Sequence, residues 1–182
     1  MAHTRSVVTQ GIVLKRTNIG EADRVVTLLT PDMGKIVCIA KGARKLTSSK
    51  RGILEPGNRV KVMLIPTSSM MLLTQATLQA DLSSTWSNLN QLRRLSQILE
   101  IVDRLLMEAE SDPEIFLLVA ELLEAVQAQT ASDTLVREQL DILIQSLGFP
   151  SLSETKHQSI NEYVVELAEH RLHSFEYLKV AS

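Results

Sequence analysis

The hydrophobic period changes once along this 182-residue chain, and that change limits the fold more than any other feature. Up to residue 79 the apolar residues come in short runs, at 7–16, 23–30, 35–41, 58–65 and 70–79, separated by turn residues. Runs of this length, rich in Val, Ile, Leu and Thr, read as strands. Alternation is clearest in Arg59-Val60-Lys61-Val62-Met63-Leu64, where Val60, Val62 and Leu64 face a core and the cations face water. After the polar stretch Asp81 to Ser87 the period becomes helical. Leu92, Leu95, Leu99, Val102 and Leu106 predict an amphipathic helix over about 88–109. Ser111-Asp112-Pro113-Glu114 predicts the start of a second, with Ser or Asp as cap and a capping box to Glu114 if the cap is Ser111. Its stripe is Ile115, Val119, Leu122 and Val126. A third carries Val136, Leu140, Leu143 and Leu147 and stops at Gly148, with Pro150 beyond. Three such stripes on short connections bury one another in a small antiparallel bundle, a commoner use of leucine at this spacing than a partner groove. The expected organisation is an all-β domain over 1–80, a connector over 81–87 and an all-α domain over 88–182.

Two turn signals shape the first domain. Thr30-Pro31-Asp32-Met33-Gly34 reads as a hairpin connection, and Leu54-Glu55-Pro56-Gly57 closes a long loop that begins at Gly42. Five strands with early hairpins and one long loop after the third fit a small Greek-key barrel of the oligonucleotide-binding (OB) type. A half-open sheet or an SH3-like barrel fits the same pattern.

Charge is divided along the same boundary. Residues 1–80 hold twelve Lys/Arg against four Asp/Glu, a balance of +8, and the remainder holds seven against seventeen, a balance of -10. The first part suits a polyanion and the second suits proteins. Within Gly34 to Gly52 the strand Ile36 to Ile39 runs into a loop in which Lys41, Arg44, Lys45, Lys50 and Arg51 are five cations in eleven residues with no acid among them. A strand feeding a Gly/Ser-punctuated basic loop presents a flexible cationic arm, whose usual target is phosphate. Lys15, Arg16, Arg24 and Lys35 extend the candidate set. Residues 1–85 contain no Phe, Tyr or Trp, so bases have no aromatic platform. Affinity should then come from Lys and Arg on phosphates, with a steep salt dependence.

Several chemistries are disfavoured. One cysteine, Cys38, forbids internal disulfides and a four-cysteine zinc site; in its strand it reads as a small core residue. His170 and His173 lie three apart without a third metal ligand at matching spacing, so they read as ordinary helix histidines. Glu21 and Asp23, beside Arg24, read as a turn or ion-pair feature rather than a catalytic carboxylate pair. Gly34, Gly42 and Gly57 lack the Gly-Lys-Ser/Thr of a phosphate loop. Neither a signal peptide nor an apolar run of membrane-spanning length is present in the sequence. The expectation is a cytoplasmic, non-enzymatic protein without cofactor.

The runs Gly11-Ile-Val-Leu-Lys-Arg16, Gly20-Glu-Ala-Asp-Arg24, Leu29-Thr-Pro31, Gly34-Lys35, Lys41-Gly-Ala-Arg44 and Leu54-Glu-Pro56 resemble, in order and spacing, the N-terminal domain of the bacterial DNA repair protein RecO family. The surroundings of Leu147-Gly148-Phe149-Pro150 are similar to the end of that family's third helix, and Ile160 to Leu178 resembles its C-terminal helix and tail. Many members carry a four-cysteine zinc module between these; its absence here implies an internally shortened member. The resemblance implies a nucleoid-associated recombination mediator that binds single- and double-stranded DNA, anneals complementary strands, works with RecR and helps load RecA onto strands coated by single-stranded-DNA-binding protein (SSB). It also implies that the helical part meets the acidic C-terminal tail of SSB. A domain of net -10 repels such a tail at long range, so capture needs a local cationic pocket, for which Arg93, Arg94, Arg104 and Arg137 are the candidates. Two other classes compete: an RNA-binding or translation-associated OB-fold adaptor with a helical dimerisation domain, and a metal-dependent phosphoryl-transfer enzyme or nuclease using Glu21 and Asp23.

Overall fold

The computed structural model of the protein describes residues 6–45, 48–82 and 88–168. Connector residues 83–87, the tail beyond 168 and both His170 and His173 lie outside them. The described chain divides into two compact units, Met1–Leu82 together with Met107–Phe116, and Ser83–Leu106 together with Leu117–Ser182.

In the first unit the short apolar runs form β1 (Val7–Ile19), β2 (Asp23–Thr30), β3 (Gly34–Ala40), β4 (Arg59–Ile65) and β5 (Met71–Ala80), with a single turn of helix, α1 (Lys50–Ile53), between β3 and β4. The strands close into a barrel in the order β1-β2-β3-β5-β4. β1 is long enough to pair antiparallel with both β2 and β4. A short parallel pairing of β3 with β5, Cys38 with Met71 and Ile39 with Leu72, completes the circuit. This is the OB arrangement, and its closure disposes of the half-open sheet. β1 runs three residues beyond its predicted end because Thr17, Asn18 and Ile19 pair with Val25, Arg24 and Asp23, projecting the β1–β2 hairpin to a tip at Gly20.

Inward residues of every strand meet in one core that includes Val13, Val26, Leu28, Val60, Val62, Leu64 and Leu73. Cys38 belongs to it: the thiol donates to the carbonyl of Val26 at 3.4 Å, and burial pushes its pKa up to about 12. It is a core residue and not a nucleophile at neutral pH.

The segment 107–116, on the helical side of the sequence boundary, lies with the barrel. Ala109 N–H donates to the carbonyl of Lys35 at 3.0 Å, and Ser111 Oγ donates to that of Pro31 at 3.1 Å. Its closest approach is at Gly34, in the left-handed region with φ 65°, where a Cβ would sit 2.0 Å from the carbonyl oxygen of Glu110. The Pro-Asp-Met-Gly turn is thus a hairpin connection and also a seat for a second stretch of backbone.

The helical pattern gives α2 (Leu89–Leu105), α3 (Pro113–Gln127), α4 (Asp133–Ser146) and α5 (Ile160–Leu167). Asn88 caps α2 through the N–H groups of Asn90 and Gln91, and Ser132 caps α4 through that of Leu135. Asp112 caps α3, accepting from the N–H of Glu114 at 2.8 Å and that of Ile115 at 3.3 Å. With Ser111 turned to Pro31, the capping box does not form. Gly148, with φ 86°, ends α4: its N–H reaches the carbonyl of Gln145 and that of Phe149 reaches Ile144, a Schellman closure. In the helical unit the core takes up Leu95, Leu99 and Val102 of α2, Leu122 and Val126 of α3, and Leu140 and Leu143 of α4. Buried Gln91 ties α2 to the end of α3 by donating to the carbonyls of Val126 and Gln127.

Candidate nucleic-acid interface

The loop between β3 and β4 is fastened to the barrel at both ends, in contrast to the flexible arm expected of its composition. At its start Gly42 N–H donates to Asp23 Oδ1 at 2.8 Å, Arg44 N–H to the carbonyl of Ala22 at 2.9 Å, and Arg44 Nη1 to that of Gly20 at 2.9 Å. Asp23 therefore acts as a loop anchor, in keeping with a turn role rather than a catalytic one. At its far end the chain makes the helical turn α1, where the sequence pattern predicts only loop. Asn58 holds that turn by donating from Nδ2 to the carbonyls of Gly52 and Ile53, and Lys50 Nζ reaches the carbonyl of Leu73 at 3.4 Å.

Arg24 lies underneath. It is 6% exposed, and its Nη1 donates both to the carbonyl of Arg51 at 2.9 Å and to Glu55 Oε1 at 3.2 Å, while Nε donates to Asn18 Oδ1 at 3.3 Å. Burial first, and then the charge of Arg16, lower its pKa from the ordinary arginine value; Glu55 works in the opposite direction. On the other side of Glu55, Arg16 Nη2 lies 2.7 Å from Oε2, an ionic contact without the alignment of a directed hydrogen bond. Two guanidinium groups thus share one carboxylate beneath the loop.

These ties bring Arg16, Arg44 and Arg51 to the β1–β2 hairpin and α1, with Lys41 and Lys45 flanking the Gly42–Arg44 turn, while Lys50 of α1 directs its ammonium to β5. Lys41, Lys45 and Arg51 are exposed; Arg16, Arg44 and Lys50 are half-buried. Arg24 shares the location but is directed inward, so its charge organises the patch from below. Lys15 is exposed on β1, opposite Thr27. Lys35 stands apart: it is at the start of β3, about 17 Å of strand from Ala40 at the end nearest the loop, and its backbone forms a parallel β-bridge with that of Glu108 in the docked segment. Sequence reasoning missed Glu55, Asn58 and Asn18 as organisers. The one available signal was that Glu55 is a solitary acid in the turn closing a basic loop.

The four arginines of the helical region are not drawn into one pocket. Arg94 joins α2 to the start of α4, with Nη1 donating to the carbonyl of Ala131 and Nη2 to Asp133 Oδ1, both at 2.6 Å. Arg104 pairs with Glu100 of its own helix at 3.8 Å. Arg93 is half-buried on α2. Arg137 lines a cleft of about 420 Å³ with Glu138, Asp141, Ser151, Ser153 and His157. Asp141 is occupied there, accepting from Ser151 Oγ and Leu152 N–H at 2.7 Å each. No group of three His, Cys, Asp or Glu able to hold a metal occurs among the described residues, and no described helix is long and apolar enough to cross a membrane.

Residues 1–82 match the family model described as "Recombination protein O N terminal". Among curated proteins, "DNA repair protein RecO" of Roseiflexus sp. (strain RS-1) is 32% identical over 147 residues, which cover 80% of this chain and 52% of that protein. The protein of the same name from Myxococcus xanthus is 33% identical over 124 residues, covering 68% of this chain and 51% of that one. That from Bifidobacterium adolescentis reaches 43% over 67 residues, covering 37% of this chain and 27% of that one. The chain spans about half the length of the first two.

Proposed function

Because the chain belongs to the RecO family of DNA repair proteins, we propose that its barrel binds single- and double-stranded DNA along the phosphates without sequence preference. The observation that carries this reading is the fastening of the β3–β4 loop, which holds Arg44 and Arg51 beside the β1–β2 hairpin and Arg16, with Lys50 on the same turn of helix reaching toward β5. Fixed cations meet phosphates with less ordering cost than mobile ones, and each contact releases a condensed counterion. The absence of aromatics from residues 1–85 leaves stacking little part, so binding is indifferent to base identity. By neutralising two strands together, such a surface lowers their mutual repulsion and lets complementary bases meet. Strand annealing and help in loading RecA onto SSB-coated strands follow as the mediator role. RecR and the acidic tail of SSB are the protein partners.

Annealing of complementary oligonucleotides, naked and coated with SSB from the same organism, tests the reading. The wild type is compared with a variant in which Arg44, Lys45, Lys50 and Arg51 are all Gln. The wild type should anneal both and the folded variant should lose the activity. The slope of log K against log salt should flatten by roughly 0.7 for each single-strand phosphate that the variant no longer neutralises. An unchanged slope moves the interface elsewhere on the barrel, and preference for structured RNA over DNA turns the reading to RNA.

A further inference from the structure

An acid inside a phosphate-binding patch ought, on charge alone, to weaken it. Glu55 is such an acid, and it is 8% exposed. It connects four parts of the barrel: Arg16 of β1 at 2.7 Å, Arg24 of β2 at 3.2 Å, the turn into β4 that contains it, and, through Arg24, the carbonyl of Arg51 in α1. Take the carboxylate away and Arg24 keeps its charge, since a guanidinium does not release its proton in a protein. A buried cation without a counter-ion is strongly disfavoured. Arg24 would have to swing toward water, and the donor that holds the Arg51 carbonyl would leave with it. Arg16 would be freed at the same time, adding one loose cation while several ordered ones disperse.

We propose that Glu55 is a positioning residue of the DNA interface: it pins Arg24 beneath α1 so that Lys50, Arg51 and the adjoining loop cations are presented in one place. The inference rests on the DNA-binding reading of the same patch. It reverses the sign expected from net charge, because Glu55→Gln makes the protein more positive and yet binds DNA less well. Glu21 supplies the contrast. It is an exposed acid at the tip of the same β1–β2 hairpin, and Glu21→Gln adds the same charge without touching the clamp.

The experiment uses the full chain and a fluorescein-labelled oligo-dT strand, with anisotropy read across a salt series for wild type, E55Q and E21Q. Trypsin cleavage after Arg44, Lys45, Lys50 and Arg51 is followed in parallel without DNA, and circular dichroism checks the fold. E55Q is expected to bind at least about threefold more weakly, with its salt slope flatter by roughly 0.7 for every phosphate left without its cation, and to be cut faster in the loop. E21Q should bind as tightly as wild type or more tightly, and be cut at the wild-type rate. E55D keeps the charge with a shorter reach and should fall between wild type and E55Q; it carries the test if E55Q does not fold. Wild-type binding with E55Q equal or tighter, and loop cleavage unchanged, overturns this assignment alone. No binding by wild type overturns the DNA reading and the assignment with it, whatever trypsin reports about the clamp.

Discussion

Replacing Gly34 with Ala tests the docking of segment 107–116 on the β2–β3 turn. Two costs add. An L-residue at φ 65° sits in the left-handed region, at about 1–2 kcal/mol. The new Cβ would also lie 2.0 Å from the Glu110 carbonyl oxygen, 2.4 Å from its carbon and 2.9 Å from Ser111 N, all backbone atoms that cannot rotate away. The segment must retreat, and with it go the hydrogen bonds Ala109 N–H to Lys35 and Ser111 Oγ to Pro31, each worth about 1 kcal/mol net. The total is roughly 3–4 kcal/mol, equivalent to a fall in Tm of roughly 10 °C for a chain of this size. Gly20→Ala is the matched control: φ is 54° and nothing lies within 4 Å of the added Cβ, so only the backbone cost applies. Urea and thermal unfolding followed by far-UV circular dichroism compare the two. If G34A and G20A lose stability equally, close approach of Glu110 has no energetic weight and the docking argument fails.

Cys38 should escape alkylation in the native protein at pH 8 and react only as fast as the barrel opens. Its folded pKa of about 12 exceeds the unfolded value, about 8.5. Its contribution to stability is therefore complete below the unfolded pKa and lost as pH rises from there toward 12. Cys38→Ala should remove that part of the alkaline limb in pH-dependent unfolding, and an identical limb in the variant would contradict the assignment. In the helical unit, Arg94→Ala should cost more than Asp133→Ala. The ion pair is exposed on the Asp133 side and worth at most about 1 kcal/mol, whereas the carbonyl of buried Ala131 loses its 2.6 Å donor. Unfolding of the two single variants checks the ranking, and an Asp133→Ala loss equal to or larger than that of Arg94→Ala would overturn it.

Whatever depends on neighbours a few residues apart was already legible in the amino-acid order. Short β-rich runs between turn residues marked all five strands, with alternation clearest in β4, and period three to four marked α2, α3 and α4, because side-chain direction repeats over that distance. The turn α1 was read as loop, and α5 came only from the family resemblance. Gly148 was legible as a helix stop since only a short-range backbone closure is involved. The basic loop was legible as composition, and so was its departure from an aromatic single-strand platform. The arrangement of that loop was not. Arg24 and Glu55 are 31 positions apart, Arg24 and Arg51 27, and Pro31 and Ser111 80. In the sequence Arg24 is one more cation for phosphate; barrel closure turns it inward beneath α1 and gives it a buried acid, Glu55, as partner. The same holds for Gly34, which looks like a turn glycine until a distant segment arrives against it. Such roles are set by desolvation and by which backbone atoms meet across the fold, and neither quantity exists until the chain has closed.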